Sequence, residues 1–498
     1  MVFKEDIAAR FKEQSHFMQE KSVEKNYLYN LIYQMLVAVI PLIVTPYVGR
    51  VLGAEGVGAF SYTTAMTGYF ALFGNLGVAT YGQLKIAGER NNKHEMSKTF
   101  HELALLRIFL MTIVLGAFFI FVFTASQKEN RTLYLVLIVQ IVAAMFDISW
   151  FLQGLEEFKK IVLRNTIIKV ISVVLIFAFV KKQSDLYLYA FIMNGSTLLG
   201  NLSIWLFIPS FIEKVSIREL RPFSHLKACL TYFIPTIATT VYLTLDKTMI
   251  GWFTSTNVEN GYYEQANKIE QMAVTVVTSL SVVTMPRMAY LFKNNETEKL
   301  KNRLEQTISF ISMIAVPMCF GMAAVSDYFI PLYLGNDFLP SIVLLKIFSL
   351  LLIVVGLNNA VGKQVLMPMG RQHKYNIAVI IGAITNFALN SLLIPKLYAV
   401  GAAIASVAAE TVILLIFIYY SKDMITGKWI VLNSLKYVLA GLIMFAAIRL
   451  SYLILPMSWV SVLIQVLSGI IIYFSAVLCM RDRFAIEELR TVLRRIKR

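Results

Sequence analysis

Charge is scarce in this chain. Asp, Glu, Lys and Arg together make up 15% of its 498 residues, while apolar residues reach 57%. Ordinary soluble proteins carry about a quarter charged residues. Too few polar side chains are present to cover a water-soluble fold of this length, so lipid must be the solvent for most of it. Cysteine is scarcer still: Cys229, Cys319 and Cys479 each lie in an apolar stretch, and none has CxxC or metal-ligand spacing. That excludes a disulfide framework and a structural zinc site. No GxxxxGK[ST], HExxH, DFG-like or GxSxG pattern occurs, so nucleotide hydrolysis and the familiar covalent chemistries are excluded too. The five histidines, His16, His94, His101, His225 and His373, fall in or beside expected cytoplasmic segments without ligand companions. No metal, no cofactor and no enzymatic activity are expected.

Lys and Arg outnumber Asp and Glu by 46 to 30, a net charge of +16. A basic balance can mean nucleic-acid binding, but here the basic residues are scattered between apolar runs, as in loops that face anionic lipid. No nucleic-acid partner is expected. The first apolar run is too long for a signal-peptide core and lacks an A-x-A-like cleavage site, so it reads as a retained helix.

About twenty apolar residues in a helix cross the roughly 30 Å hydrocarbon core. Runs without a charge occur at 26–49, 56–84, 108–127, 186–212, 306–326 and 375–395, and less pure ones at 132–155, 161–180, 228–256, 261–290, 338–366, 397–421, 434–455 and 459–480. The fold class is therefore all-α, a polytopic membrane protein of about fourteen transmembrane helices. Even-numbered connections are the basic ones (Arg90, Lys93, Lys98; Lys159, Lys160, Arg164; Lys214, Arg218, Arg221; Lys293, Lys299, Lys301, Arg303; Arg371, Lys374; Lys422, Lys428). By the positive-inside rule these loops and both termini are cytoplasmic. The expected layout is a cytoplasmic amphipathic segment at 1–25, a six-helix lobe at 26–212, a cytoplasmic linker at 213–226, a second six-helix lobe at 227–421, helices 13 and 14 within 429–480, and a basic tail at 481–498. The stripes Phe3, Ile7, Phe11 and Ile486, Leu489, Leu493, Ile496 suit helices lying on an anionic membrane surface, or docking to a partner protein.

Sliding the chain against itself by about 203 positions pairs Gly58 with Gly261, Asn91-Asn92 with Asn294-Asn295 and Glu102 with Glu305; a shift of about 211 pairs Gln153 with Gln364, Lys160 with Arg371 and Asn165 with Asn376. Six helices per repeat is an even number, so the halves are parallel, related by an axis along the membrane normal, with a substrate site expected between them.

Charges inside spans cost at least about 2.5–3.5 kcal/mol at the bilayer centre unless they face protein or water. They are Arg107, Asp147, Lys169, Asp246, Lys247, Glu264, Lys268, Glu270, Lys346, Lys363, Glu410 and Arg449. Arg107 and Lys169 lie near span ends, where snorkelling accounts for them. The densest group is in spans 7 and 8. Asp246 and Lys247 are adjacent and point about 100° apart. Glu264 and Lys268 stand four apart in the favourable Glu-first order, beside Asn267 and Gln271. This face is either a substrate and ion site or an internal ion pair. Asp246, Glu264, Asp147 and Lys363 are the candidate ion-coupling or cavity polar residues.

Four blocks carry a family resemblance: NLIYQMLVAVIPLIVTPYVGRVLGAEGVGAFSY at 30–62, DISWFLQGLEEFKK at 147–160, LDKTMIGWF with NGYYEQANKIEQM at 245–272, and GLNNAVGKQVLMPMGRQHKY at 356–375. With the helix count they resemble the Wzx-type polysaccharide repeat-unit flippases of the multidrug/oligosaccharidyl-lipid/polysaccharide exporter superfamily. The resemblance implies two lobes around a central cavity open alternately to each side. It also implies transfer of undecaprenyl-pyrophosphate-linked oligosaccharides across a bacterial cytoplasmic membrane, for capsule, O-antigen or exopolysaccharide. Partners would be the lipid-linked oligosaccharide, membrane lipids, a polysaccharide polymerase and glycosyltransferases. Arg50 in GRVLGAEGVG and Lys268 in EQANKI resemble basic positions of the related lipid II flippases, while IPLIVTP at 40–46 lacks their Arg-Asp pairs, which argues against lipid II itself. Moving sugar hydroxyls without partners costs a few kcal/mol each, so a polar groove is needed, and Arg50, Lys247 and Lys268 are the candidate substrate-binding residues for the pyrophosphate. With no nucleotide loop, a Na+ or H+ gradient or the membrane potential is the expected driving force. A cation-coupled multidrug antiporter of the same superfamily and a membrane polysaccharide polymerase or ligase stay open as alternatives.

Overall fold

The computed structural model describes residues 40–482 except Ser126, and 484–486. The amphipathic stripe expected at 1–25, the start of the first span and nearly all of the basic tail lie outside the described residues. Helices follow one another from end to end, and no strand occurs among the described residues. The helices are α1 (40–75), α2 (Val78–Glu89), α3 (Lys93–Thr124), α4 (Arg131–Met145), α5 (Ser149–Gly154), α6 (Phe158–Phe179), α7 (Leu186–Trp205), α8 (Leu226–Phe253), α9 (Val258–Lys293), α10 (Thr297–Tyr333), α11 (Ser341–Asn358), α12 (Gln372–Tyr420), α13 (Gly427–Ser451) and α14 (Trp459–Cys479). Among the described residues, nine helical segments are long and apolar enough to cross a membrane. Leu199, Ile234, Leu392, Ile454 and Ile471 are each more than 60% exposed, a distribution suited to lipid and not to water.

Breaks in the helices have local causes. Gly53, with φ +67°, turns α1 within the first basic-glycine block. Leu76 and Gly77 (φ +41° and +79°) separate α1 from α2, and a Cβ on Gly77 would sit 2.3 Å from the Cys229 carbonyl oxygen, so both its φ and its neighbour require glycine. Tyr398 (φ 50°, ψ −129°) splits α12 three residues after Pro395, which gives the two separate spans expected there. After α11 the helix widens into a π-helical segment, Asn359–Leu366. Asn92, Thr426 and Ser458 cap α3, α13 and α14 by accepting backbone N–H bonds.

The chain forms two compact units. Among the described residues, one holds 40–44 and Thr63–Val241; the other holds Thr45–Tyr62 and the residues from Tyr242 to 486. In the first unit, Trp150 and Phe151 of α5 are buried with Ile86, Phe100, Leu103 and Ile204. In the second, α9 to α13 share a core around Leu304, Ile311, Val361 and Phe417. Arg107 does not snorkel: it is 3% exposed, donates to the Ala144 carbonyl at 2.9 Å and lies 3.8 Å from Asp147. It serves the carbonyls at the C-terminal end of α4, together with Asn201 on Ala143 (2.7 Å) and Trp205 on Phe146 (2.9 Å). Sequence spacing could not show this, because the partners stand 37 to 59 positions away. Arg371, just before α12, holds Asp423 in the loop after it through a two-point pair at 2.6 and 2.8 Å, which keeps that carboxyl below its ordinary range.

Candidate functional site in the second unit

Within the second unit, residues 54–62 of α1 cross 257–265 of α9 so closely that backbones touch. A Cβ on Gly58 would lie 1.7 Å from the Asn257 carbonyl oxygen, and one on Gly261 would lie 2.0 Å from that of Ala54. The sequence shift that pairs Gly58 with Gly261 also pairs Ala54 with Asn257. These two contacts are therefore one contact made twice, as around a local two-fold axis. Ser61 and Glu264, also 203 positions apart, meet there directly: the Ser61 hydroxyl donates to Glu264 Oε2 at 2.9 Å.

Glu264 is the centre of a charged cluster. Its Oε2 lies 2.6 Å from Lys247 Nζ of α8, and its Oε1 lies 3.2 Å from Lys268 Nζ, one turn along α9. The carboxylate side chain is 12% exposed, against 22% and 31% for the two lysines, so the cations form the accessible rim and the anion the floor. Two ammonium groups against one carboxylate leave a positive excess. The Gln271 amide donates to Asn267 at 2.9 Å and extends the polar strip one turn further. Such a strip can offer charge and hydrogen bonds to an anionic, hydroxyl-rich ligand.

Asp246 points the other way, as its 100° offset from Lys247 requires. It is 8% exposed and accepts hydrogen bonds from Tyr263 Oη (2.5 Å), Asn390 Nδ2 (2.6 Å) and Ser406 Oγ (2.6 Å). Among the described residues no basic side chain reaches it. A buried carboxylate ringed by neutral hydroxyl and amide groups of α9 and α12 has the oxygen-rich surround that an alkali cation requires.

The remaining candidates are placed elsewhere. Arg50 is exposed and donates from Nε to the Tyr333 carbonyl at 3.4 Å and from its guanidinium to the Leu332 carbonyl, so it covers the C-terminal end of α10, a favourable place for a cation. Asp147 belongs to the first unit; it accepts the Ser149 backbone N–H at 2.9 Å in the turn ahead of α5. Lys363 is exposed in the π-helical segment, whose next residue, Gln364, is buried and accepts from Thr284 at 2.8 Å. Lys346 and Arg449 share Asp327, with Lys346 at 2.7 Å. Glu410 accepts from the Asn358 amide at 2.6 Å. Sequence reasoning missed Ser61, Tyr263, Asn390 and Ser406. Two signals were available: Ser61 is the repeat mate of Glu264, and Asn386 with Asn390 is a pair of amides at i,i+4 in an uncharged span.

An all-helical, multi-pass chain with a half-buried charged cluster at a repeat-related crossing defines a membrane transporter. Residues 23–292, more than half of the chain, match the family described as polysaccharide biosynthesis protein, and the chain belongs to that family. It is 22% identical over 409 residues to a protein of Escherichia coli (strain K12) named for O-antigen transport, covering 80% of this chain and 98% of that one. It is also 22% identical over 252 residues to Agl15 of Haloferax volcanii, named as a flippase of low-salt glycan biosynthesis, covering 49% and 51%. Among solved structures, the lipid II flippase MurJ in an inward closed conformation superposes with a TM-score of 0.74 at 17% identity, covering 90% of this chain and 98% of that one. An inward-facing multidrug MATE transporter of the same superfamily superposes at 0.56 with 16% identity, covering 86% and 96%. The resemblance to Wzx-type flippases and to their superfamily fold is borne out. These relatives are transporters and flippases, in line with a non-enzymatic role.

Proposed function

We propose that the protein carries an undecaprenyl-pyrophosphate-linked oligosaccharide from the inner to the outer leaflet of a bacterial cytoplasmic membrane by alternating access, supplying capsule, O-antigen or exopolysaccharide synthesis. Both termini then face the cytoplasm. The observation that carries this reading is the Lys247–Glu264–Lys268 cluster, a positive excess half-buried among apolar helices. A structural ion pair needs one cation per carboxylate; the second lysine suits a pyrophosphate. Arg50, whose hydrogen bonds go to neutral carbonyls, is a third basic group we assign to the substrate. An apolar cavity of about 470 Å³ among α9, α10, α11, α13 and α14, lined by Ile269, Met318, Met322 and Phe474, supports accommodation of a prenyl tail.

Asp246 is the proposed ion-coupling group. An inside-negative potential favours outward movement of a doubly charged pyrophosphate by about 2.3 kcal/mol per charge per 100 mV. Return of the empty carrier requires an ion whose affinity differs between the two states, and a buried carboxylate with neutral partners supplies one. The test of the function is the pair Lys247→Gln and Lys268→Gln. Each loses a charge-assisted contact worth about 1.5–3 kcal/mol, roughly tenfold to a hundredfold in affinity. The double variant is expected to stop polymer export in cells at a normal protein level; normal export by it would overturn the proposal.

A further inference from the structure

The two lysines assigned to the pyrophosphate are already engaged by an anion of the protein's own. Glu264 gives one carboxylate oxygen to each lysine, at 2.6 and 3.2 Å, and the Ser61 hydroxyl anchors the same group at 2.9 Å. Its oxygens thus stand where those of a phosphate would, and it is more deeply buried than the lysines it holds. An anion arriving over the rim meets the ammonium groups first, and Glu264 behind them.

We propose that Glu264 is an internal competitor for the substrate's phosphate, yielding Lys247 and Lys268 when the anionic head enters and recapturing them when it leaves. The inference rests on the reading of the two lysines as the anion site. Its physical basis is a count of charge. With the carboxylate in place the cluster carries one excess positive charge; without it the excess is two, equal and opposite to a pyrophosphate diester. A site with an excess of two would hold its cargo tightly and release it slowly. A tethered carboxylate at the same nitrogens limits that affinity without needing a second ligand, and Ser61 keeps it aimed at the lysines. A purely structural neutralising role gives the opposite sign: loss of the carboxylate would then leave anion affinity unchanged or lower, because unpaired lysines in an apolar surround are less stable as cations.

The experiment uses the full chain in lipid nanodiscs with farnesyl diphosphate as the binding probe and farnesol as its uncharged control, and in proteoliposomes with a fluorescent lipid-diphosphate oligosaccharide for flipping. Glu264→Gln is expected to bind farnesyl diphosphate about tenfold more tightly or better and to flip more slowly, with farnesol unaffected. Glu264→Asp, whose carboxylate is drawn back by one methylene, is expected to fall between, and it decides the matter if the glutamine variant does not fold. Unchanged or weaker binding in folded variants, while the parent still flips its substrate, overturns this inference and leaves the function standing. A parent that neither binds the diphosphate nor flips the oligosaccharide overturns both.

Discussion

Adding one carbon at Gly58 tests how closely the two repeat-related helices cross. The Cβ of Gly58→Ala would fall 1.7 Å from the Asn257 carbonyl oxygen and 2.7 Å from the Gly261 nitrogen, both backbone atoms that no rotamer change can remove. A whole helix must shift by more than an ångström, and overpacking of this kind costs about 1–3 kcal/mol, a factor of roughly 5 to 150 in the folded-to-unfolded ratio. Helix propensity works against that loss, since alanine is favoured over glycine by about 1 kcal/mol. Gly88→Ala and Gly116→Ala are therefore the controls: both sit in helices with nothing within 4 Å of the added carbon, so they show the propensity gain alone. The measurement is the fraction of purified protein that stays monodisperse in detergent after heating, for Gly58→Ala, Gly261→Ala and the two controls. The crossing variants are expected to melt below the parent and the controls at or above it. Crossing variants that melt with the controls would refute the close approach, and with it the placement of Ser61 against Glu264.

Asp246→Asn should keep the fold, because its amide oxygen can still accept from Tyr263, while removing the dependence of flipping on imposed gradients in proteoliposomes; a parent indifferent to sodium, proton and potential gradients alike would show the coupling proposal wrong. Asp147→Ala should cost about 1 kcal/mol or more of thermal stability, from the lost contact to the Ser149 N–H and the lost charge partner of buried Arg107, and leave export unchanged, and a transport defect at full stability would return Asp147 to the substrate path. In a background without the three native cysteines, Ser255→Cys and Asn336→Cys should react with a membrane-impermeant maleimide in intact cells and Asn294→Cys only after lysis; the reverse pattern would invert the topology.

Much of the fold was legible because lipid simplifies the code. Span length is set by bilayer thickness, and an uncharged run of twenty residues has few other uses. Within one helix the sequence also pairs residues correctly: Glu264 and Lys268 lie on one face by the i,i+4 rule, and the structure joins them. Across helices that rule has nothing to say. Lys247 reaches Glu264 because α8 packs on α9, Asp246 finds Asn390 and Ser406 more than 140 positions away, and Arg50 meets the end of α10 some 280 positions on. The π-helical widening at Asn359–Leu366 was equally hidden, since one extra residue per turn leaves no mark on apolar periodicity. The internal repeat fared better than a handful of matches would suggest, because glycine pairs mark places where backbones must touch.

The charged cluster sits where the repeat relation is closest but does not itself obey it. The shift that carries Ser61 onto Glu264 carries Val44 onto Lys247 and Ala65 onto Lys268, so the backbone contact is nearly two-fold while all three charges belong to the second copy. Two equivalent copies of the cluster at one crossing would place four lysines within a few ångströms, and like charges at that range in a low dielectric repel by several kcal/mol per pair. A symmetric backbone and an asymmetric charge are thus compatible demands: the first lets two helices approach without side chains between them, and the second gives a single anionic head one place to bind. Selection for a more strongly charged head would then act first at Ser61, the first-copy residue that touches Glu264. Ser61→Ala, which releases Glu264 from the hydroxyl that holds it at 2.9 Å, is expected to raise the affinity for farnesyl diphosphate while leaving that for farnesol alone, and an unchanged affinity in a folded protein would show that the hydroxyl does not aim the carboxylate at the lysines.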